Sequence, residues 1–234
     1  MRGKGFLFFE KHKLVYARVP KAANTSIKET LARLTPKDRS SVQSKFNPTN
    51  DKYWKEPSRG TRFLSPDEYT GNYKELFSFS FIREPVDRLF SCYADKIVDN
   101  KCRSKSFQRL GYTAQMSFEE FASHTLSINL NRMDVHTQPQ TFLIEDSSGR
   151  LPKFVGLTEQ SDSHWSELHQ HCQRLEIPIT KELVRLHSKV EKSKSIDRSL
   201  SDDTLAGIKL LYGRDILLHN KIHYSGKPIL ASIG

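Results

Sequence analysis

One short run of residues holds much of what could do chemistry. Lys21-Ala22-Ala23-Asn24-Thr25-Ser26 stands where an apolar stretch, Leu14-Val15-Tyr16-Ala17, gives way to an amphipathic one. The set suits a phosphate. Lys21 offers a full cation, Thr25 and Ser26 offer hydroxyls, and Ala22 and Ala23 keep the turn thin enough for an anion to reach the main chain. Pro20 stiffens the approach. A helix starting here would present amides without partners and about half a positive charge. A plainer role also fits, a solvated lysine in an ordinary strand–turn–helix connection. The spacing G-x-x-x-x-G-K-[ST] is absent, and no glycine lies between Gly5 and Gly60, which argues against a nucleoside triphosphatase.

A second anion contact is available at Arg83, which ends the alternating run LFSFSFI over residues 76–82. Arginine donates in planar pairs, and ligands of open α/β sheets bind where strands end. Ser91 lies eight residues on, inside an apolar-faced helix opened by Pro85. It reaches the same ligand only if the ligand runs along that helix or the helix start folds back. The alternative is that Arg83 pairs with Asp87 and Ser91 packs. For proton transfer the first candidate is His136, since imidazole titrates near neutrality. It stands equally as a histidine bonded structurally to Asp134, and Glu29, far along its helix, is the second candidate.

These residues need elements to hold them. The pattern predicts a strand over residues 14–17, preceded by a hairpin partner or a short lead-in over 6–9. It predicts a helix over 24–34, with Ile27, Leu31 and Leu34 on one face, ended by Thr35-Pro36. Residues 37–62 read as a long surface loop whose Tyr53 and Trp54 either stack on a sugar or base or pin the loop. Ser65-Pro66-Asp67-Glu68 starts a helix, 76–82 is a central strand, and Val86, Leu89, Phe90, Tyr93 and Ile97 share a helix face. Residues 100–115 read as an exposed basic loop, and Ser117 with Glu120 as a capping box. Residues 142–145 and 153–157 read as a hairpin or neighbouring strands. Helices are expected over 163–175, from 180 to 186, and after Ser201, with a frayed tail beyond Ile222.

The totals set bounds. The 234 residues suit one α/β domain or two small ones. Lys and Arg number 37 against 27 Asp and Glu, a formal charge of +10, so an anionic partner is expected: nucleotide, nucleic acid, acidic glycan or acidic membrane. Cys92, Cys102 and Cys172 form no C-x-x-C pair; they read as reduced thiols, with a Cys92–Cys102 bridge as the alternative. No metal-ligand cluster is visible. No window approaches the roughly 18 apolar residues of a membrane span, and the N-terminal apolar run is too short for a signal peptide. The chain therefore reads as cytoplasmic, or as Golgi-lumenal if a targeting segment has been removed.

Together the two stretches resemble the cofactor signatures of sulfotransferases. Residues 18–27 resemble the 5′-phosphosulfate loop, and residues 81–93 match the 3′-phosphate pattern R-x-P-x-x-R-L-x-S-x-Y. The chain is most similar to sulfotransferase family 2, the carbohydrate sulfotransferases related to the chondroitin, dermatan and heparan 2-O enzymes and their bacterial relatives. Asp134-x-His136-x-x-Pro139-Gln140, Val155-Gly156-x-x-Glu159 and Leu211-Tyr212-x-x-Asp215 resemble further segments of that family, in family order.

The resemblance implies one sulfotransferase domain over residues 1–234, with a P-loop-like three-layer α/β fold around a central, mainly parallel sheet flanked by helices. It implies 3′-phosphoadenosine 5′-phosphosulfate (PAPS) as donor, no metal, and a hydroxyl acceptor on a saccharide rather than nucleic acid or membrane. Lys21 would contact the phosphosulfate and its bridging oxygen. The backbone from Ala22 through Ala23 and Asn24 to Thr25 and Ser26 would hold the 5′-phosphate. Arg83 and Ser91 would hold the 3′-phosphate, and Lys192 and Ser193 would close over the nucleotide. Thr137 and Gln138 stand where the family usually has Trp-Arg, which removes an aromatic and a cation from the expected acceptor side. Residues 65–80 also lack the histidines that heparan 2-O enzymes carry there. The rival readings are a non-catalytic binder of anionic polymers and a P-loop kinase.

Overall fold

The computed structural model describes residues 5–35, 46–185 and 196–231. Its frame is a six-stranded sheet in the order β3-β1-β2-β4-β5-β6. Phe6–Phe9 (β1) and Leu14–Ala17 (β2) pair antiparallel, so the hairpin is the reading found. Phe77–Ile82 (β4) runs parallel to β2, and Phe154–Leu157 (β5) parallel to β4. Thr61–Leu64 (β3) and Ile229–Leu230 (β6) close the edges antiparallel. The expected mainly parallel sheet is therefore parallel only at its centre. Connection length explains the β1–β2 pair, since a short turn can join only antiparallel strands.

The helices are Asn24–Leu31 (α1), Pro66–Gly71 (α2), Pro85–Tyr93 (α3), Lys105–Arg109 (α4), Phe118–Ser127 (α5), Gln140–Ile144 (α6), Ser161–Arg174 (α7), Asp202–Leu211 (α8) and Gly213–Ser225 (α9). Strand alternation sorts them into layers. Leu14, Tyr16, Phe77, Phe79 and Phe81 point to one face and pack with Ile27 and Leu31 of α1 and Trp165 and Leu168 of α7. Val15, Ala17, Ile82 and Val155 point to the other, against Tyr69 of α2, Leu143 of α6 and Leu218 and Ile222 of α9. A third cluster joins α3, α4, α5 and α8 through Leu89, Phe90, Phe107, Phe121 and Ile208. Every residue of β4 is buried, serines included. Ser78 Oγ accepts from Tyr69 Oη at 2.6 Å, and Ser80 Oγ donates to Ala17 O at 2.7 Å, so their burial leaves no bond unmade. In β5, a Cβ on Gly156 would lie 2.7 Å from the Phe81 ring, which is why this position takes glycine.

Several local expectations are corrected. Residues 142–145 belong to a helix and its cap, because Pro139 and a carboxylate from α9 cap α6. The basic stretch 100–115 contains α4 and buries Cys102, Phe107 and Tyr112. Residues 180–185 are irregular rather than helical. The first helix ends at Leu31 and continues as a 3₁₀ turn, Ala32–Leu34. The supposed loop 37–62 ends in β3, and its Trp54 is wholly buried, edge-on to Phe9 and donating to Pro48 O at 2.7 Å. With Tyr53 also buried, these aromatics pin the segment and do not face a ligand. A further helix, α9, continues to Ser225, and the edge strand β6 stands in the expected frayed tail beyond Ile222. The three cysteines are free and buried. Among the described residues no helix is long and apolar enough to cross a membrane.

Candidate functional site

After β2 the chain turns through Arg18-Val19-Pro20-Lys21-Ala22-Ala23 into α1. Two non-glycine residues hold left-handed backbone here, Lys21 at φ 68° and Ala23 at φ 53°. Each such residue costs about 1–3 kcal/mol and persists only where its surroundings dictate it. Val19 and Ala22, wholly buried, supply that constraint from beneath, and Ala22 N donates to Val19 O at 3.3 Å. Turns of this kind converge backbone amides into a concave anion site. α1 begins with no side-chain cap; the Asn24 Oδ1 instead accepts from Tyr16 Oη at 3.3 Å. Its first amides, from Asn24 to Ser26, are thus left for water or an anion. The Thr25 side chain is exposed and that of Ser26 half-buried.

Because β4 lies beside and parallel to β2, Arg83 leaves the sheet at the same end as the Lys21 turn. Side chains from distant segments fix this exit. Gln140 accepts from Arg83 N at 2.9 Å through Oε1 and donates to Arg83 O at 2.7 Å through Nε2, as a neighbouring strand would. Glu84 N donates to Glu159 Oε1 at 2.7 Å. Gln140 is held in turn, since its amide and that of Thr141 donate to the buried Asp215 carboxylate at 2.6 and 2.8 Å. Among the described residues the Arg83 guanidinium makes no ion pair; Asp87, its alternative partner, pairs with Arg198.

Arg88 joins the two stretches. It is buried, and its guanidinium donates to Pro20 O at 2.9 Å, Gln138 O at 2.8 Å and Val135 O at 3.1 Å. Burial lowers its pKa, partly offset by Tyr212 and Asp215. Tyr212 Oη donates to Thr137 O at 2.6 Å, so the closing Leu-Tyr-x-x-Asp segment clamps the same region. Arg88, Ser91 and Asp95 follow at helical spacings of three and four. Arg88 touches Pro20 and Asp95 touches Lys21, so Ser91 sits between them on the face of α3 turned to the loop.

The Asp95 Oδ2 lies 3.0 Å from Lys21 Nζ and 3.2 Å from Lys96 Nζ. His136 is close to this pair. Its Nδ1 donates to Asp134 Oδ1 at 2.6 Å, while Ser106 Oγ donates to Asp134 Oδ2 at 2.7 Å. Burial lowers the His136 pKa; Asp134 opposes the shift, and Lys96 and Lys21 add to it. Burial alone would raise the Asp134 carboxyl, but its bonds to His136 outweigh that and bring it to about 2. The imidazole is then neutral at pH 7, with Nε2 able to take a proton. The geometry is that of a cationic loop, a fixed arginine and an oriented base at one end of a sheet.

A family model described as the sulfotransferase family matches residues 4–224 of this sequence. The chain belongs to the sulfotransferase family. Carbohydrate sulfotransferase 11 of rat and of mouse are each 23% identical to this chain over 179 residues, covering 70% of it and 44% of theirs. The chain thus spans under half the length of these relatives. No solved structure matches.

In this chain Lys21, Ala22, Ala23, Asn24, Thr25, Ser26, Arg83, Ser91 and His136 gather at one end of the sheet, while Lys192 and Ser193 lie outside the described residues. Thr137 and Gln138 are both buried. Arg88, Asp95, Lys96 and Gln140 were not anticipated as site residues. Arg88 lies inside the second signature, which was the available signal; Asp95 and Lys96 follow just beyond its end at Tyr93, where no motif marks them.

Proposed function

We propose that this chain, as a single domain, is a PAPS-dependent sulfotransferase that acts on a hydroxyl group of a carbohydrate. The observation that carries the reading is that both signature stretches leave adjacent parallel strands at one end of the sheet, with Arg88 bonding one to the other. The residues fit the nucleotide. The strained loop and uncapped α1 suit the 5′-phosphate, in P-loop-like fashion, and Lys21 suits the bridging oxygen. Arg83 and Ser91 suit the 3′-phosphate.

PAPS supplies a sulfuryl group, whose bond to the 5′-phosphate oxygen breaks as the bond to the acceptor oxygen forms. Lys21 and the loop amides neutralise the charge gathering on the leaving oxygen, by analogy with phosphoryl transfer. His136 Nε2 receives the acceptor proton, while Asp134 holds its other nitrogen and fixes the tautomer. The saccharide acceptor is taken from the named relatives, carbohydrate sulfotransferases of low identity.

Calorimetry tests the donor assignment. Adenosine 3′,5′-bisphosphate should bind far more tightly than AMP or ATP, and Arg83→Met should remove that preference without lowering the melting temperature. Equal affinities for the three nucleotides in the unmutated chain would favour a general polyanion binder.

A further inference from the structure

Asp95 lies against the lysine of the loop. One of its oxygens, Oδ2, bridges two ammonium groups, with Lys21 Nζ at 3.0 Å and Lys96 Nζ at 3.2 Å. Asn100 Nδ2 holds the carboxylate from behind, donating to Oδ1 at 2.9 Å and to Asp95 O at 2.6 Å. The Asn100 contact comes with a local irregularity. α3 passes into a π-helical turn, Ala94–Asp99, in which Asn100 N donates to Asp95 O at 3.1 Å. Lys101 and Cys102 then leave it in left-handed backbone, at φ 46° and 52°. A π turn shifts the face on which later side chains lie, and such turns gather at functional sites. Here it sets Asn100, five residues on, against Asp95. The three side chains stay partly exposed, at 19% for Lys21, 31% for Asp95 and 21% for Lys96, so a small anion can reach them.

We propose that Lys21 and Lys96 form a two-cation seat for the sulfuryl group of the donor, and that the Asp95 carboxylate fills this seat when no donor is bound. The inference rests on the donor reading above and deepens it. A sulfuryl group between two oxygens carries anionic oxygens of its own, and a pair of ammonium groups matches them as it matches the single carboxylate oxygen. Lys96 touches the substrate and is a catalytic residue; Asp95 is a positioning residue that holds Lys21 and Lys96 in place and yields them to the ligand. His136, which both lysines influence, is close to the same seat, where an acceptor hydroxyl must approach.

The test compares PAPS with adenosine 3′,5′-bisphosphate, which lacks only the sulfuryl group, by calorimetry on the whole chain without acceptor. Asp95→Asn removes a competing negative charge and should raise the ratio of PAPS to bisphosphate affinity about tenfold, a typical value for one charged hydrogen bond. Lys96→Met should lower that ratio about tenfold. A purely structural role would depress both affinities and the melting temperature together and leave the ratio unchanged. Any result other than opposite shifts in the two variants overturns the seat. If the unmutated chain binds neither nucleotide, the donor reading itself fails and the seat loses its ligand. If it binds both and the ratio stays constant in the variants, only the seat fails.

Discussion

Arg88 Nε lies 2.9 Å from the Pro20 carbonyl oxygen, so the second signature grips the first through a buried, charge-assisted hydrogen bond. The other guanidinium nitrogens satisfy Gln138 and Val135 carbonyls. Arg88→Met would strand three acceptors in the interior, at about 1–3 kcal/mol each. A urea titration should therefore show a loss of about 3 kcal/mol or more, with nucleotide binding lost alongside. Arg88→Lys keeps the charge but not the fork and should fall between the two. A Met variant as stable as the parent would show that this bond does not hold the site.

Lys21 should be separable from folding. Lys21→Ala should lower turnover about 10²–10³-fold, the usual loss for one stabilising donor, because Asp95 keeps Lys96 as a partner and the loop keeps its floor. Lys21→Gly should be equally inactive yet melt higher than the alanine variant, since glycine accepts φ 68° without strain. Identical melting curves for the two would mean that the left-handed backbone stores no strain.

His136 should govern the acid limb of the pH–rate profile. Burial and the two neighbouring lysines hold its pKa beneath 6.5, so the acid limb of kcat/KM should have its midpoint below pH 6.5. His136→Asn should reduce kcat about 10²–10⁴-fold and remove the limb. An acid limb that survives this substitution would assign the proton to another group.

Stability should fall on mild acidification. Burial is the largest cause lowering the pKa values of His12, His136, His164 and His171. The unfolded chain therefore takes up protons first as pH drops below about 6.5, and the folded state loses ground through that window. The urea midpoint at about pH 5.5 should lie beneath that at about pH 7.5. A flat dependence across this range would mean that these imidazoles stay solvated.

The parts of this molecule governed by neighbours in sequence were legible. The Phe-Ser alternation of β4, the helical spacing after Asn24 and Pro85, the helix start at Ser65 and the box Ser117/Glu120 all appear as read. What failed depended on distance. Phe142, Leu143 and Ile144 favour strand locally, but the carboxylate of Asp215 caps the start of a helix there. Arg88 looked like one more basic residue because its acceptors are main-chain carbonyls, which no side-chain pattern announces. Lys96 and Asp95 were hidden because they lie past the end of the second signature at Tyr93, and their partner Lys21 is far away in sequence.

The route from Asp215 through Gln140 to Arg83 has a bearing on how this protein can be cut or rebuilt. A fragment stopping short of residue 215 would retain Lys21, Arg83, Ser91 and His136, yet nothing would anchor the glutamine that aligns the arginine. Grafting the two signatures alone onto another sheet would meet the same obstacle. The recognition apparatus is as long as the chain that braces it.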